Sequence, residues 1–157
     1  MRKTYLFIVA LCCVFFSEAQ TYEYQVITSV ESIIPSGAGR SRLISTNEAR
    51  NYQDFTSERT DGKKTKDKRN NSDRSEIRVK NFEETKLLNF FNIAGIRFQN
   101  IAANDAVITS KINTMSSDGW ELAFVSSAVE SDAGKNDGKG IFITRYIFKK
   151  LKEKKIK

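Results

Sequence analysis

A change of hydrophobic period at a glycine restricts the fold of this chain more than any other feature. From Asn104 onward Ile108, Ile112 and Met115 recur at helical spacing, and after Gly119 the residues Trp120, Leu122 and Phe124 recur at every second position. A helix that stops at a glycine and becomes a strand needs a sheet to share its apolar side with, so the pattern selects mixed helix and sheet. The spacing predicts Asn104 as N-cap, Gly119 in the left-handed position after the helix, and Trp120 packing back on Met115 in a Schellman cap, with Leu122 and Phe124 continuing the face of Trp120. The preceding stretch reads the same way at an offset of twenty-four residues. Asn81 stands as cap with Glu84 three residues on, Leu87, Leu88, Phe91 and Ala94 form the stripe, and Gly95 ends the helix. Ile96 and Phe98 then lie on one side of a strand, with Arg97 and Gln99 on the other. Two copies fall short of the ~3 repeats that a solenoid needs.

Strands flank these units. Tyr22 to Val30 alternates with period two, and Pro35-Ser36-Gly37-Ala38-Gly39 breaks the pattern and suggests a hairpin to a second strand near Ser41 to Ser45. Glu76 to Lys80 offers a further short strand. A Gly/Asp/Asn/Lys-rich connection from Glu130 to Gly140, with Asp137-Gly138 as its turn, leads into a last strand over Ile141 to Lys149. The expected architecture is therefore α+β, a mainly antiparallel sheet with two helices packed on one face.

Charge and cysteine placement bound the rest. Arg2 and Lys3, the apolar run Tyr5 to Phe16 and Ser17-Glu18-Ala19 read as a secretory signal peptide cleaved between Ala19 and Gln20, too short an apolar run for a spanning helix of ~20 residues. The expected location is periplasmic or extracellular. The expected organisation is a signal peptide over 1–19, one α+β domain over 20–150 and a basic tail over 151–157. Thr56 to Glu76 holds seven Lys/Arg and five Asp/Glu and no apolar residue, so it reads as a flexible charged loop that cannot offset its ordering entropy by burial. Within it, Asn70-Asn71-Ser72 fits a glycosylation sequon in form only. The net charge of +7 is concentrated at the end of the chain, where Lys149, Lys150, Lys152, Lys154, Lys155 and Lys157 face only Glu153. Clustered lysines attract any polyanion or anionic membrane surface in a salt-dependent way.

The chain has no histidine, and its two cysteines, Cys12 and Cys13, lie inside the expected signal peptide. Stability then rests on packing without disulfides, and a histidine base, a cysteine nucleophile and a Cys/His zinc site are excluded from the processed chain. No Gly-x-Ser-x-Gly elbow is present, the glycines of 134–140 lack phosphate-loop spacing, and the same loop fails the calcium-loop register. No cofactor or metal is expected. Asp118 and Glu121 flank Trp120 as a sugar-processing carboxylate pair would, but Asp118 fits the last helical turn better. Tyr22, Tyr24, Phe142, Tyr146 and Phe148 suggest an aromatic sheet surface or a core.

Tyr22-Glu23-Tyr24, Ile112-Asn113, Asp118-Gly119-Trp120-Glu121-Leu122 and Tyr146-Ile147-Phe148-Lys149-Lys150 together carry a resemblance. The chain resembles a family of small bacterial domains of unknown function, over about Asn104 to Lys150 plus the first strand. Its long charged loop and extra helix–strand unit depart from that pattern. The resemblance implies a fold and places Gly95, Gly119, Trp120, Glu121 and Leu122 as structural motif residues; it implies no catalysis. The functional expectation is a non-enzymatic exported binding module for another envelope or extracellular protein, with no specific nucleic-acid partner. The alternatives are a polyanion or membrane-surface binder acting through the lysine tail, and an enzyme using carboxylates or a lysine.

Overall fold

The computed structural model describes residues 20–34, 40–59, 70–92, 94–130 and 140–152. In chain order these contain β1 (Tyr22–Ser32), β2 (Ser41–Ser45), a 3-10 turn (Tyr52–Phe55), α1 (Arg74–Ile77), β3 (Glu83–Leu87), β4 (Phe91–Asn92), β5 (Gly95–Ile96), α2 (Phe98–Ser117), β6 (Glu121–Glu130) and β7 (Ile141–Leu151). Five strands form one sheet in the order β3-β2-β1-β7-β6, antiparallel at each pairing, and β4 and β5 make a separate two-stranded ribbon. The architecture is α+β with a mainly antiparallel sheet.

The terminal strands β1 and β7 are adjacent at the sheet centre, paired from Tyr22 opposite Leu151 to Ser32 opposite Ile141. This pairing joins the two ends of the chain, and the β1–β2 and β6–β7 hairpins extend the sheet on either side. The turns 35–39 and 131–139 expected for these hairpins lie outside the described residues, as do 1–19, 60–69 and 153–157.

Period two divides the sheet into a covered and an open face. Ile27 and Phe148 point to the covered face with Leu43 and Leu87, where Ile108 and Met115 of α2 complete the core. Val107, Ile112, Trp120 and Tyr146 pack around it. The stripe Ile108, Ile112 and Met115 is therefore the buried side of α2, as the helical spacing predicts.

The C-terminus of α2 closes as expected. Gly119 has φ +84°, its N–H donates to Ser116 O at 3.0 Å, and the N–H of Trp120 donates to Met115 O at 3.0 Å. These are the two bonds of a Schellman cap, and only a residue without a Cβ takes that backbone conformation without strain.

The other half of the expected repeat is overturned. The described residues of 81–94 form no helix: Glu83–Leu87 is an edge strand, and Gly95, at φ +106°, begins β5 rather than following a helix. Phe98 and Gln99 open α2, for which Arg97 is the N-cap, so Asn104 is no cap and sits mid-helix. The competing force is tertiary. β2 needs a neighbour, and the glutamates that resemble a helix start are its cross-strand partners: Glu84 pairs with Arg42, and Glu83 accepts from Ser45 at 2.9 Å and from Lys111 at 2.8 Å. Of the helices, only α2 packs on the core; α1, one turn within the segment expected as loop and strand, buries no residue. Glu76 accepts from the N–H of Asp73 there at 3.1 Å, which favours a helical start over the strand expected from Glu76 to Lys80.

Candidate functional site

Asn104 is the polar centre of the covered face. It is 2 % exposed, and its side-chain amide accepts from Leu88 N–H at 2.7 Å and donates to Leu88 O at 2.8 Å. A carboxamide has the donor and acceptor of a peptide group, so Asn104 fastens α2 to the backbone just beyond β3. Its amide also reaches Glu31 Oε1 at 3.5 Å. Burial, reinforced by the charge of Asp105, pushes the Glu31 carboxyl above its ordinary range, against the pull of the Asn104 hydrogen bond. Tyr146 lies nearby with its phenol pushed up, chiefly by burial.

A cavity of about 420 Å³ opens beside the sheet, lined by residues 45–48 and 81–83. Its carboxylates are held as anions. Glu48 accepts from Asn81 N–H at 2.8 Å, Asn81 Nδ2 at 2.8 Å, Lys80 N–H at 3.3 Å and Arg50 at 2.7 Å. The backbone bond from Asn81, followed by Arg50, holds the Glu48 carboxyl below its ordinary range. The Lys111 hydrogen bond, then that of Ser45, does the same for Glu83. Glu48 thus ties the chain after β2 to the chain before β3, at the neck of the charged segment.

Residues singled out in the sequence are engaged within the fold. Lys150 donates to Asp118 O at 2.9 Å and lies 5.9 Å over the Trp120 ring. Lys149 pairs with Glu121 at 3.2 Å and lies 5.3 Å over the Tyr22 ring. Lys152 uses its backbone N–H to bond Thr21 O at 2.9 Å. Lys154, Lys155 and Lys157 lie outside the described residues. Of the carboxylate pair flanking Trp120, Glu121 is ion-paired with Lys149, whereas Lys150 meets Asp118 through its backbone carbonyl. The five aromatics do not form one surface either: Phe148 and Tyr146 face the core, Phe142 meets Phe90 edge-on at 5.8 Å, and Tyr22 and Tyr24 face the open side. Asn70 of the sequon is held by its neighbours, its amide on Asp54 O and its carbonyl accepting from Ser72 N–H at 2.9 Å.

The open face is the candidate site. Tyr24, Val26, Thr28 and Val30 of β1 share it with Ile143, Arg145, Ile147 and Lys149 of β7 and with Ile44 and Arg42 of β2. The register of β6 shifts between Leu122 and Phe124. That bulge overturns the expectation that both continue one face: Leu122, opposite Phe148, is on the covered side, whereas Phe124, opposite Ile147, is on the open side. Tyr24 and Phe124 are 64 % and 61 % exposed. No helix among the described residues covers this face.

Arg145 stands at its centre, level with Thr28 and Ser126, with Ile143 and Ile147 before and after it. It is exposed and makes no ion pair or hydrogen bond among the described residues. Sequence reasoning missed Arg145 and put Phe124 on the wrong face. The signal available was β7 itself, apolar at both parities in Ile141-Phe142-Ile143 and Tyr146-Ile147-Phe148, as a strand with two apolar faces requires. Among the described residues no group of three or more acidic, histidine or cysteine side chains is placed to hold a metal, and no helix is long and apolar enough to cross a membrane. Comparison of the chain with protein-family models, with curated proteins and with solved structures finds no match.

Proposed function

We propose that this protein is a non-catalytic binding module, acting after export, whose docking surface is the open face of the sheet. The partner is a protein surface that offers a carboxylate framed by aliphatic or aromatic side chains. The observation that carries the reading is Arg145, a guanidinium without an ion pair or hydrogen bond among the described residues, set between Ile143 and Ile147 along its strand and beside Thr28 and Ser126 across it. An exposed apolar sheet face favours docking, and an arginine at its centre favours a carboxylate, which it binds with two parallel hydrogen bonds. Engagement of Lys149 and Lys150 with Glu121 and Asp118 supports this face over the lysine tail as the principal surface.

The test is selection from a random peptide display library on the folded, immobilised protein. Enriched sequences are expected to carry Asp or Glu between apolar residues, to shift the amide resonances of Val26, Phe124 and Arg145, and to lose binding to Arg145→Glu. Binders that map elsewhere, or that hold Arg145→Glu as tightly as the parent, refute the reading.

A further inference from the structure

The strand order leaves β3 and β6 as the two edges of the main sheet, and the chain treats them differently. β3 has five residues, three of them charged (Glu83, Glu84 and Lys86), and the backbone groups of the next residue, Leu88, are occupied by Asn104. Short length, charge and side-chain cover are the devices that blunt an edge. β6 has ten residues, all exposed, with no charge between Glu121 and Glu130 and neither proline nor glycine. Among the described residues no strand pairs with its outer side. Apolar side chains flank that side on both faces: Phe124 on the open face, and Val125 and Val129, 45 % and 54 % exposed, on the covered one.

We propose that β6 pairs antiparallel with β6 of a second copy of this chain, about a two-fold axis through Ser127. The bulge at Ala123 sets the usable length, since regular alternation runs from Phe124 to Glu130. Antiparallel pairing must keep paired side chains on one face, so residue numbers in each pair sum to an even value across this run. Centring on Ser127 uses all seven residues. It sets Val125 opposite Val129 of the second copy, and Val129 opposite Val125, with Ser126 opposite Ala128 and Phe124 opposite Glu130. β-branched pairs on one face are a favoured cross-strand contact, and no like charges stand opposite each other. Centring one residue either way shortens the run and sets valine opposite serine. The ladder adds roughly six to eight backbone hydrogen bonds to groups otherwise left to water.

The axis is normal to the sheet, so the dimer is one continuous ten-stranded sheet with both α2 helices on one side and both open faces on the other. The pairing does not depend on the partner proposed for the open face. If both hold, the dimer presents two Arg145 sites in one plane and binds a clustered partner with the avidity of linked sites.

The register is tested by charge. Val125 and Val129 are substituted in pairs, and association is measured by sedimentation velocity, with circular dichroism to show that each variant is folded. The parent protein is expected to dimerise. Val125→Lys with Val129→Lys sets lysine against lysine at both pairs and is expected to weaken the dimer by about tenfold or more. Val125→Lys with Val129→Glu sets lysine against glutamate at both pairs and is expected to restore it. A parent that stays monomeric at its highest soluble concentration overturns the proposal. So does a dimer indifferent to the double lysine, or a Lys/Glu variant no tighter than the Lys/Lys one.

Discussion

Replacing Asn104 by alanine tests how the helix is fastened to the sheet. The substitution removes two bonds to Leu88, at 2.7 and 2.8 Å, from a side chain that is almost fully buried. Each bond contributes ~1 kcal/mol net, and a backbone group left unpaired out of reach of water adds a further ~1 kcal/mol or more. Leu88 sits at the end of β3 with its own side chain exposed, so water reaches its backbone after a small shift. That limits the expected loss to about 2–3 kcal/mol, a large share of the ~5–15 kcal/mol that holds a domain of this size. Urea denaturation followed by circular dichroism measures it: with a slope of ~1–3 kcal/mol per molar, the midpoint falls by roughly 0.7–3 M. Asn104→Asp gives a second readout. It retains an acceptor for Leu88 N–H, loses the donor to Leu88 O, and brings a carboxylate beside Glu31 and Asp105. Its ionised form opposes folding and adds to the penalty that ionised Glu31 already carries, so this variant should recover more stability than the parent as the pH falls through the carboxylate range. An alanine variant within about 0.5 kcal/mol of the parent, or an aspartate variant with no such recovery, refutes the idea that Asn104 bridges helix and strand.

Gly119→Ala is expected to cost about 1–2 kcal/mol in thermal or urea unfolding, from the backbone at φ +84° alone. A new Cβ there meets the end of the Lys150 side chain at ordinary distances, 3.5 Å to Cε and 3.8 Å to Nζ, so a cost-free substitution would mean the cap is not left-handed in solution. The two perturbed glutamates predict opposite responses to acid. Glu31 has its folded pKa raised, so its ionised form opposes folding above that value and the penalty vanishes below the unfolded pKa; Glu31→Gln should raise stability at neutral pH and lose that advantage in acid. Glu48 has its folded pKa lowered, so its contribution is full above the unfolded pKa and is lost as pH falls through the lowered value. Glu48→Gln should therefore be less stable at neutral pH and converge on the parent in acid, and parallel urea titrations that show the same sign for both variants would contradict the two environments.

Local chemistry was enough to determine part of this protein. Alternation marked β1 because a half-buried strand writes its two faces directly into the chain, the turn residues of 35–39 and 137–138 marked the strands β2 and β7 that follow them, and Gly119 marked the end of α2 because its backbone needs a residue without a Cβ. Ile108, Ile112 and Met115 marked the buried side of the same helix. Tertiary structure decided what depends on a neighbour distant in sequence. Glu83–Leu87 is a strand because β2 lacked a partner on that side, and Asn104 lies inside a helix because Leu88 needed its amide more than the helix needed a cap. The β6 bulge, set by the match of β6 to β7, turns Phe124 to the open face, where pairing from both sides centres Arg145. Neither placement is a property of any one segment: a side chain's period records which side it shares with its own strand, whereas what stands opposite it is fixed by the register of chains folded against each other.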